Sequence, residues 1–429
     1  MIRRLRESTG PKTRAFLGAF WRLAPWLLGA RAATYAAQFA AGRWLGPSEF
    51  GKASLCLAAG QWLGALQGLW NIGAVKFASA ESAPEKKRAV VSTYFIVSLA
   101  WTALCLLLLA ALEGPLGRRL RVSGNLYSWG LAYGAALALN STAYAVLQSD
   151  CRFAAQGITE FLYGALVPIL FGALYFGGDR SFTAFLAACV LALAVSCCLR
   201  LAAARELLRP VFSRDSFAAL RSYFFPAIAN SVGLAAMEWS LPFIVLAYFN
   251  PALVGIYSAY RAGTIMLAKP LGNVIGTVLL PHATQGAARQ GAWRRLALLA
   301  PLFSLLGAAL FLATGWLSLE IFGKRYPVDL VSVALFSLAA ALSVLAMAAE
   351  ALLMARDSRG LWLVGAGKTA AAALAVTLGL LLIPRLRIRG AAATACVSQG
   401  FFLVWCFSWR GRDVDGPSSS GLFPLPADT

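Results

Sequence analysis

Apolar residues in this chain come in long stretches separated by short polar punctuation. A membrane barrel would show segments of about ten residues alternating apolar and polar, and runs such as Leu104 to Leu112 do not alternate. About 20 residues of helix cross the roughly 30 Å of bilayer hydrocarbon. On that measure the sequence predicts twelve helices, over 17–44, 50–78, 89–112, 127–148, 157–177, 182–204, 220–248, 253–281, 295–317, 329–355, 361–383 and 390–409. The first is too long to read as a cleavable signal peptide, and it runs directly into Arg43-Trp44-Leu45-Gly46-Pro47. The expected architecture is an all-α polytopic membrane protein. An N-terminal segment (1–16) precedes six helices (17–204), a connection (205–219), six more helices (220–410) and a tail (411–429). The run Gly416-Pro417-Ser418-Ser419-Ser420-Gly421 makes that tail read as a disordered end. No connection is long enough to fold into an external catalytic or receptor domain.

A short pattern occurs twice, close to half the chain apart. Between helices one and two the chain reads Gly46-Pro47-Ser48-Glu49-Phe50-Gly51, and between helices seven and eight Asn250-Pro251-Ala252-Leu253-Val254-Gly255. Each is a proline, three residues, then a glycine at the start of a new helix. Proline suits the first helical position, and glycine permits a close approach. An even number of helices between Pro47/Gly51 and Pro251/Gly255 implies two halves of the same orientation, related by an axis along the membrane normal. Such parallel repeats are a transporter device, with substrate held between the halves.

Composition sharpens this picture. Hydrophobic residues make up 59% and charged residues 13%, against about 25% charged in soluble domains. The net charge of +20 does not point to nucleic acid, because the basic residues sit in short loops, where positive charge is a topology signal. Arg3, Arg4, Arg6, Lys12 and Arg14, then Lys86-Lys87-Arg88, the 205–221 stretch and Arg294-Arg295 favour cytoplasmic termini. Arg118-Arg119-Arg121 and Arg385-Arg387-Arg389 oppose that orientation, leaving a bias of roughly two to one. Eight cysteines, most within apolar runs, read as small lipid- or core-facing residues. His282 is the only histidine, and no Cys/His spacing for zinc appears. No cofactor or metal is implied.

Ionisable residues inside membrane helices are costly and mostly face a bundle interior or an aqueous cavity. Arg22, Lys76 and Glu160 lie near helix ends and are expected to snorkel to the headgroups. Arg31, Glu238, Arg261, Lys269, Glu350 and Lys368 complete the set. Arg31 in helix one and Arg261 in helix eight belong to the two repeat starts. Together they would make a cationic cavity for pyrophosphate or acidic sugars, since guanidinium binds phosphate through a fork of donors. The alternative is a buried structural pair between arginine and Glu238. Lys269 shares a face with Arg261 and is a further candidate. Helix seven carries Asn230 and Glu238 between Pro226 and Pro242, so the bend the prolines impose reads either as a gate or cation-coupling site or as a static kink. Gly367-Lys368-Thr369 resembles the end of a phosphate-binding loop, but Trp362 stands where the motif needs glycine. No Ser/His/Asp set or catalytic carboxylate pair appears.

Two of these segments also resemble a known family. Arg43-Trp44-Leu45-Gly46-Pro47-Ser48-Glu49-Phe50-Gly51 is similar to the segment after the first helix of Wzx-like polysaccharide flippases of the MOP (MATE-like) superfamily. Val254-Gly255-Ile256-Tyr257-Ser258-Ala259-Tyr260-Arg261 is similar to that family's opening of helix eight. The resemblance implies two six-helix lobes around a V-shaped cavity. It also implies alternating-access movement of an undecaprenyl-pyrophosphate-linked glycan across the bacterial inner membrane, for O-antigen, capsule or exopolysaccharide synthesis. Arg31 and Arg261 match the family's cationic lumen, and Glu238 stands in a segment where many relatives carry an aspartate. Partners would be the lipid-linked glycan, membrane lipids and other polysaccharide-assembly membrane proteins. A drug or cation exporter of the same superfamily is the alternative, ahead of a membrane polymerase or ligase or a purely structural scaffold.

Overall fold

The computed structural model describes residues 11–81, 83–120, 123–209, 211–272, 286–355 and 358–410, which form helices and no strand. Of the groups named above, Arg3, Arg4, Arg6, Arg121, His282 and the 411–429 tail lie outside the described residues, as do the side chains of Lys12, Arg14, Arg22 and Arg119.

The first two expected helices form one 70-residue element, α1 (Pro11–Ala80), sharply turned at Gly46. Its φ of 79° and ψ of 172° lie where glycine is at ease and other residues are strained. Pro47 then opens the second leg. There follow α2 (Pro84–Ala111), the short α3 (Glu113–Leu120), α4 (Gly124–Ser149), α5 (Phe153–Phe176) and α6 (Phe182–Ala204). Ser123 and Ser181 start α4 and α6 by accepting the backbone N–H of Leu126 and Thr183. The 205–219 connection is not wholly irregular: Ser213 caps a short amphipathic helix there, α7 (Arg214–Ser222).

The expected seventh helix is two pieces, α8 (Phe224–Trp239) and α9 (Leu241–Tyr248), bent by 41°. Pro242 lacks the N–H that would reach the Glu238 carbonyl, so the break falls where helical bonding is missing. Asn250 caps α10 (Pro251–Gly263); the chain leaves helical geometry at Thr264 (φ −127°, ψ −88°) and resumes over 265–272. The remaining elements are α11 (Gly286–Phe322), α12 (Leu330–Met354), α13 (Ser358–Leu386) and α14 (Ile388–Ser408). Among the described residues eight helices are long and apolar enough to span a bilayer, nine with the bent α8–α9 pair. The two legs of α1 and the helix opened by α10 stand where the other expected spans lie.

The fold is two six-helix lobes. In the first, α1 packs on α4, α5 and α2, and α6 on α4 and α5; in the second, α13 packs on α8 and α14, and α12 on α11 and α14. Contacts of α1 with α8 and α10 join them. The repeated turns meet each other at this joint. A Cβ built on Gly51 would fall on the Pro251 carbonyl, and one built on Gly255 on the Pro47 carbonyl. That exchange, residue for equivalent residue, is the signature of a two-fold relation. Away from the joint, α2 and α11 turn Leu107, Leu298, Leu305 and Leu317 outward, while alanines such as Ala53, Ala58 and Ala138 fill the interior. Small residues let helix backbones approach where lipid supplies no hydrophobic drive between them.

Loop contacts sort into two ends. At one, Lys87 reaches Asp150 (2.7 Å), and Arg152 joins Asp150 (2.7 Å), Glu206 (3.3 Å) and the Ala203 carbonyl (2.7 Å). Burial works against the Asp150 carboxylate, but the Lys87 and Arg152 hydrogen bonds outweigh it and hold the carboxyl below its usual range. At the other end, Glu49 accepts the Phe182 N–H (3.0 Å) and Tyr326 donates to the Gly42 carbonyl (2.7 Å). There Arg389 also forks onto both oxygens of Asp329 (2.9 and 3.0 Å), the main reason its carboxyl falls to about 2. All eight cysteines are free thiols.

Candidate substrate cavity between the lobes

A cavity of ≈ 360 Å³ opens between the two lobes. The first lobe supplies both legs of α1, with α4, α5 and α6; the second supplies Trp239 at the end of α8, Pro242, Ser258 and Arg261, and then Met266, Lys269 and Pro270. Its charged lining is Arg31, Arg261 and Lys269 against one carboxylate, Glu160. The three cations expected to bind substrate therefore share one wall-to-wall space.

They are held differently. Arg261 is 5% exposed, with its guanidinium carbon 4.0 Å from the Trp239 ring centre. Its Nη2 has no hydrogen-bond partner among the described residues. Lys269 stands 5.0 Å over the same ring and pairs with Glu238. A cation over an indole face is stabilised by the ring quadrupole, so Trp239 keeps two like charges side by side on the cavity wall. The acid–base pair left open by the sequence is thus Lys269–Glu238 rather than an arginine pair.

Arg31 is half-exposed and sits 3.5 Å from Glu160. Glu160 does not snorkel. It is buried, and its other oxygen takes Arg200 at 2.5 Å. Arg200 is 1% exposed and also donates to Thr159 Oγ1 (3.0 Å) and the Asn140 carbonyl (3.3 Å), over the Tyr144 ring. A buried carboxylate so firmly paired leaves Arg31 loosely held and facing the cavity.

The other candidates separate. Glu238 lies behind the main cavity, on a second one of ≈ 30 Å³ that also touches Lys269, Glu350 and Lys368. Asn230 is not beside Glu238 but accepts from Lys368 (2.9 Å), which Glu350 holds at 2.6 Å. Pro242 lines the main cavity, and Lys76 meets the Tyr223 hydroxyl at an exposed position. Arg200, Trp239 and Asn140 were not singled out from the sequence. Arg200 lies close enough to a helix end to pass as a snorkelling cation, and a lone Trp or Asn in a membrane helix carries no spacing signal. No group of three or more His, Cys, Asp or Glu side chains suited to a metal occurs among the described residues.

Over residues 41–326 the sequence matches the family described as polysaccharide biosynthesis protein. The chain belongs to that family. No curated protein matches the sequence. Solved structures resemble this chain over about nine-tenths of its length. An inward-facing multidrug resistance MATE transporter of the MOP superfamily aligns with a TM-score of 0.62 at 13% identity, over 89% of this chain and 93% of that one. The lipid II flippase MurJ in an inward closed conformation gives 0.61 at 12% identity, over 90% and 86%. A MOP superfamily transporter from Pyrococcus furiosus, whose binding pocket is noted for reversed polarity, gives 0.58 at 13%, over 91% and 94%. These likenesses establish a MOP-type fold for this family member, and its central cavity is the space between the two lobes of that fold.

Proposed function

We propose that this multi-pass membrane protein is a flippase. It moves undecaprenyl-pyrophosphate-linked oligosaccharide from the cytoplasmic to the periplasmic leaflet of the bacterial inner membrane by alternating access. It would serve O-antigen, capsule or exopolysaccharide synthesis, with both termini cytoplasmic and with other polysaccharide-assembly membrane proteins as neighbours. The observation that carries this reading is the sign of the cavity. Arg31, Arg261 and Lys269 face it, and the nearby carboxylates Glu160 and Glu238 are already committed to cations. A pyrophosphate must shed its hydration to cross hydrocarbon, and charge-assisted hydrogen bonds from guanidinium groups replace the lost water. The polyprenyl tail stays in lipid, so the cavity needs to shelter only the headgroup. Glu238, Asn230 and Pro242 belong to the broken helix that would gate or couple the movement.

An exporter of cationic drugs needs an unpaired acidic lumen, and the carboxylates here are spoken for. The test is deletion of the gene, followed by measurement of lipid-linked glycan and the leaflet that holds it. Glycan should accumulate on the cytoplasmic side. Complementation with Arg31→Ala/Arg261→Ala, at equal membrane level, should lower export by about tenfold or more, the worth of one to two charged hydrogen bonds. Normal export in the deletion strain would end the reading, and full export in the double variant would remove both arginines from it.

A further inference from the structure

The central cavity has two lining residues with an unpartnered buried polar atom among the described residues, one on each lobe. On the second lobe it is Arg261 Nη2, a donor. On the first it is Asn140 Oδ1, an acceptor on α4, in a side chain as deeply buried as that arginine. Leaving a buried polar atom unpaired costs about 1–3 kcal/mol, and each such atom in a folded protein calls for an explanation. The chemistry of the two atoms is complementary. A cationic donor takes an anion, whereas a neutral amide oxygen takes the O–H or N–H of an uncharged group and repels phosphate. Arg261 shares Trp239 with Lys269, while on Asn140's lobe the charges are paired through Glu160, which meets both Arg31 and Arg200, and Gln61, Ser54, Tyr133 and Tyr163 line the cavity beside them. These four side chains offer neutral hydrogen-bonding groups and aromatic faces, which suit hydroxyl-rich sugar rings.

We propose that Asn140 anchors a second subsite that reads the hydroxyl or amide groups of the first sugar. The lipid-linked substrate then lies with its pyrophosphate against Arg261 and its glycan against α4. This inference rests on the carrier-lipid reading above and adds to it a direction and a selectivity determinant. The buried Arg200 donates to the Asn140 backbone carbonyl, which ties α6 to α4 at this position. Both orphan atoms are closed to solvent in this conformation, so a ligand reaches them by displacing neighbouring side chains, and binding relieves the unmet demand.

The test uses the full chain in nanodiscs and two probes: the lipid-linked glycan that accumulates in the deletion strain, and the same lipid trimmed to bare undecaprenyl pyrophosphate. The wild type should bind the glycosylated lipid more tightly. Asn140→Leu, similar in size but without the acceptor, should erode that preference by about tenfold, one hydrogen bond's worth, and leave bare-lipid affinity unchanged. Asn140→Asp keeps an acceptor oxygen and should keep the preference. Arg261→Ala should weaken both probes alike. If Asn140→Leu weakens both equally or neither, or if Asn140→Asp behaves as Asn140→Leu does, the subsite is wrong while the flippase reading stands. If the wild type binds neither probe, the carrier-lipid reading fails and the subsite falls with it.

Discussion

Among the described residues Glu160 is the only carboxylate on the cavity wall, and its two oxygens face different tasks. One locks Arg200 at 2.5 Å, almost out of contact with solvent; the other meets the half-exposed Arg31 at the longer 3.5 Å. Removing one member of a buried ion pair strands the other, at a cost of about 3–5 kcal/mol, whereas a half-exposed pair contributes about 0–1 kcal/mol. Glu160→Ala should therefore lower the thermal midpoint of the purified protein sharply, and Arg31→Ala should scarcely move it. Equal losses in the two variants would mean that Glu160 does not hold α5 to α6 through Arg200. The contrast gives the two arginines on Glu160 separate roles: Arg200, behind the wall, holds it in place, and Arg31 remains free to meet a ligand.

At the scale of elements, the closest backbone approach among the described glycines is the reciprocal contact of the two repeat turns. A methyl group at Gly51 or Gly255 would meet a backbone carbonyl rather than a side chain that could swing away. Overpacking of this kind costs about 1–3 kcal/mol. Both contacts belong to one interface, so a displacement forced by Gly51→Ala already makes room for Gly255→Ala. The double variant should lose less thermal stability than the two single losses added together; strict additivity would show that the turns act independently. This joint was legible in the sequence because its residues form a spaced pattern, Pro47/Gly51 and Pro251/Gly255, and the same holds for the rare deep charges Arg31, Arg261 and Lys269. Their partners were not legible. Glu160 meets Arg200 across two helices, and Asn230 meets Lys368 across most of a lobe. Such pairings depend on helix rotation, which hydropathy leaves open. The break before Pro242 was foreseeable from the missing N–H, but not its 41° angle, and α7 is too short and polar to stand out from a connection.

For the whole molecule, the arrangement of loops makes orientation a single binary choice. Lys87, Asp150, Arg152, Glu206 and Arg209 gather at one end, while Gly42, Glu49, Phe182, Tyr326, Asp329 and Arg389 gather at the other. Once any one loop is assigned a side, the rest follow. The first end holds Lys86, Lys87 and Arg88 and the basic stretch after α6, which by the positive-inside rule supports the orientation proposed above, with this end in the cytoplasm. The second end carries Arg118, Arg385, Arg387 and Arg389, which weakens the charge bias; yet Arg389 is bound to Asp329 and so serves partly as a structural bond rather than a topology signal. Fusions truncated after Arg209 should give active cytoplasmic green fluorescent protein and inactive alkaline phosphatase, and fusions after Asp179 or Pro327 should give the reverse. The opposite pattern would invert the molecule. A mixture within one end would contradict the loop contacts themselves, because residues hydrogen-bonded to each other cannot lie on opposite sides of a bilayer.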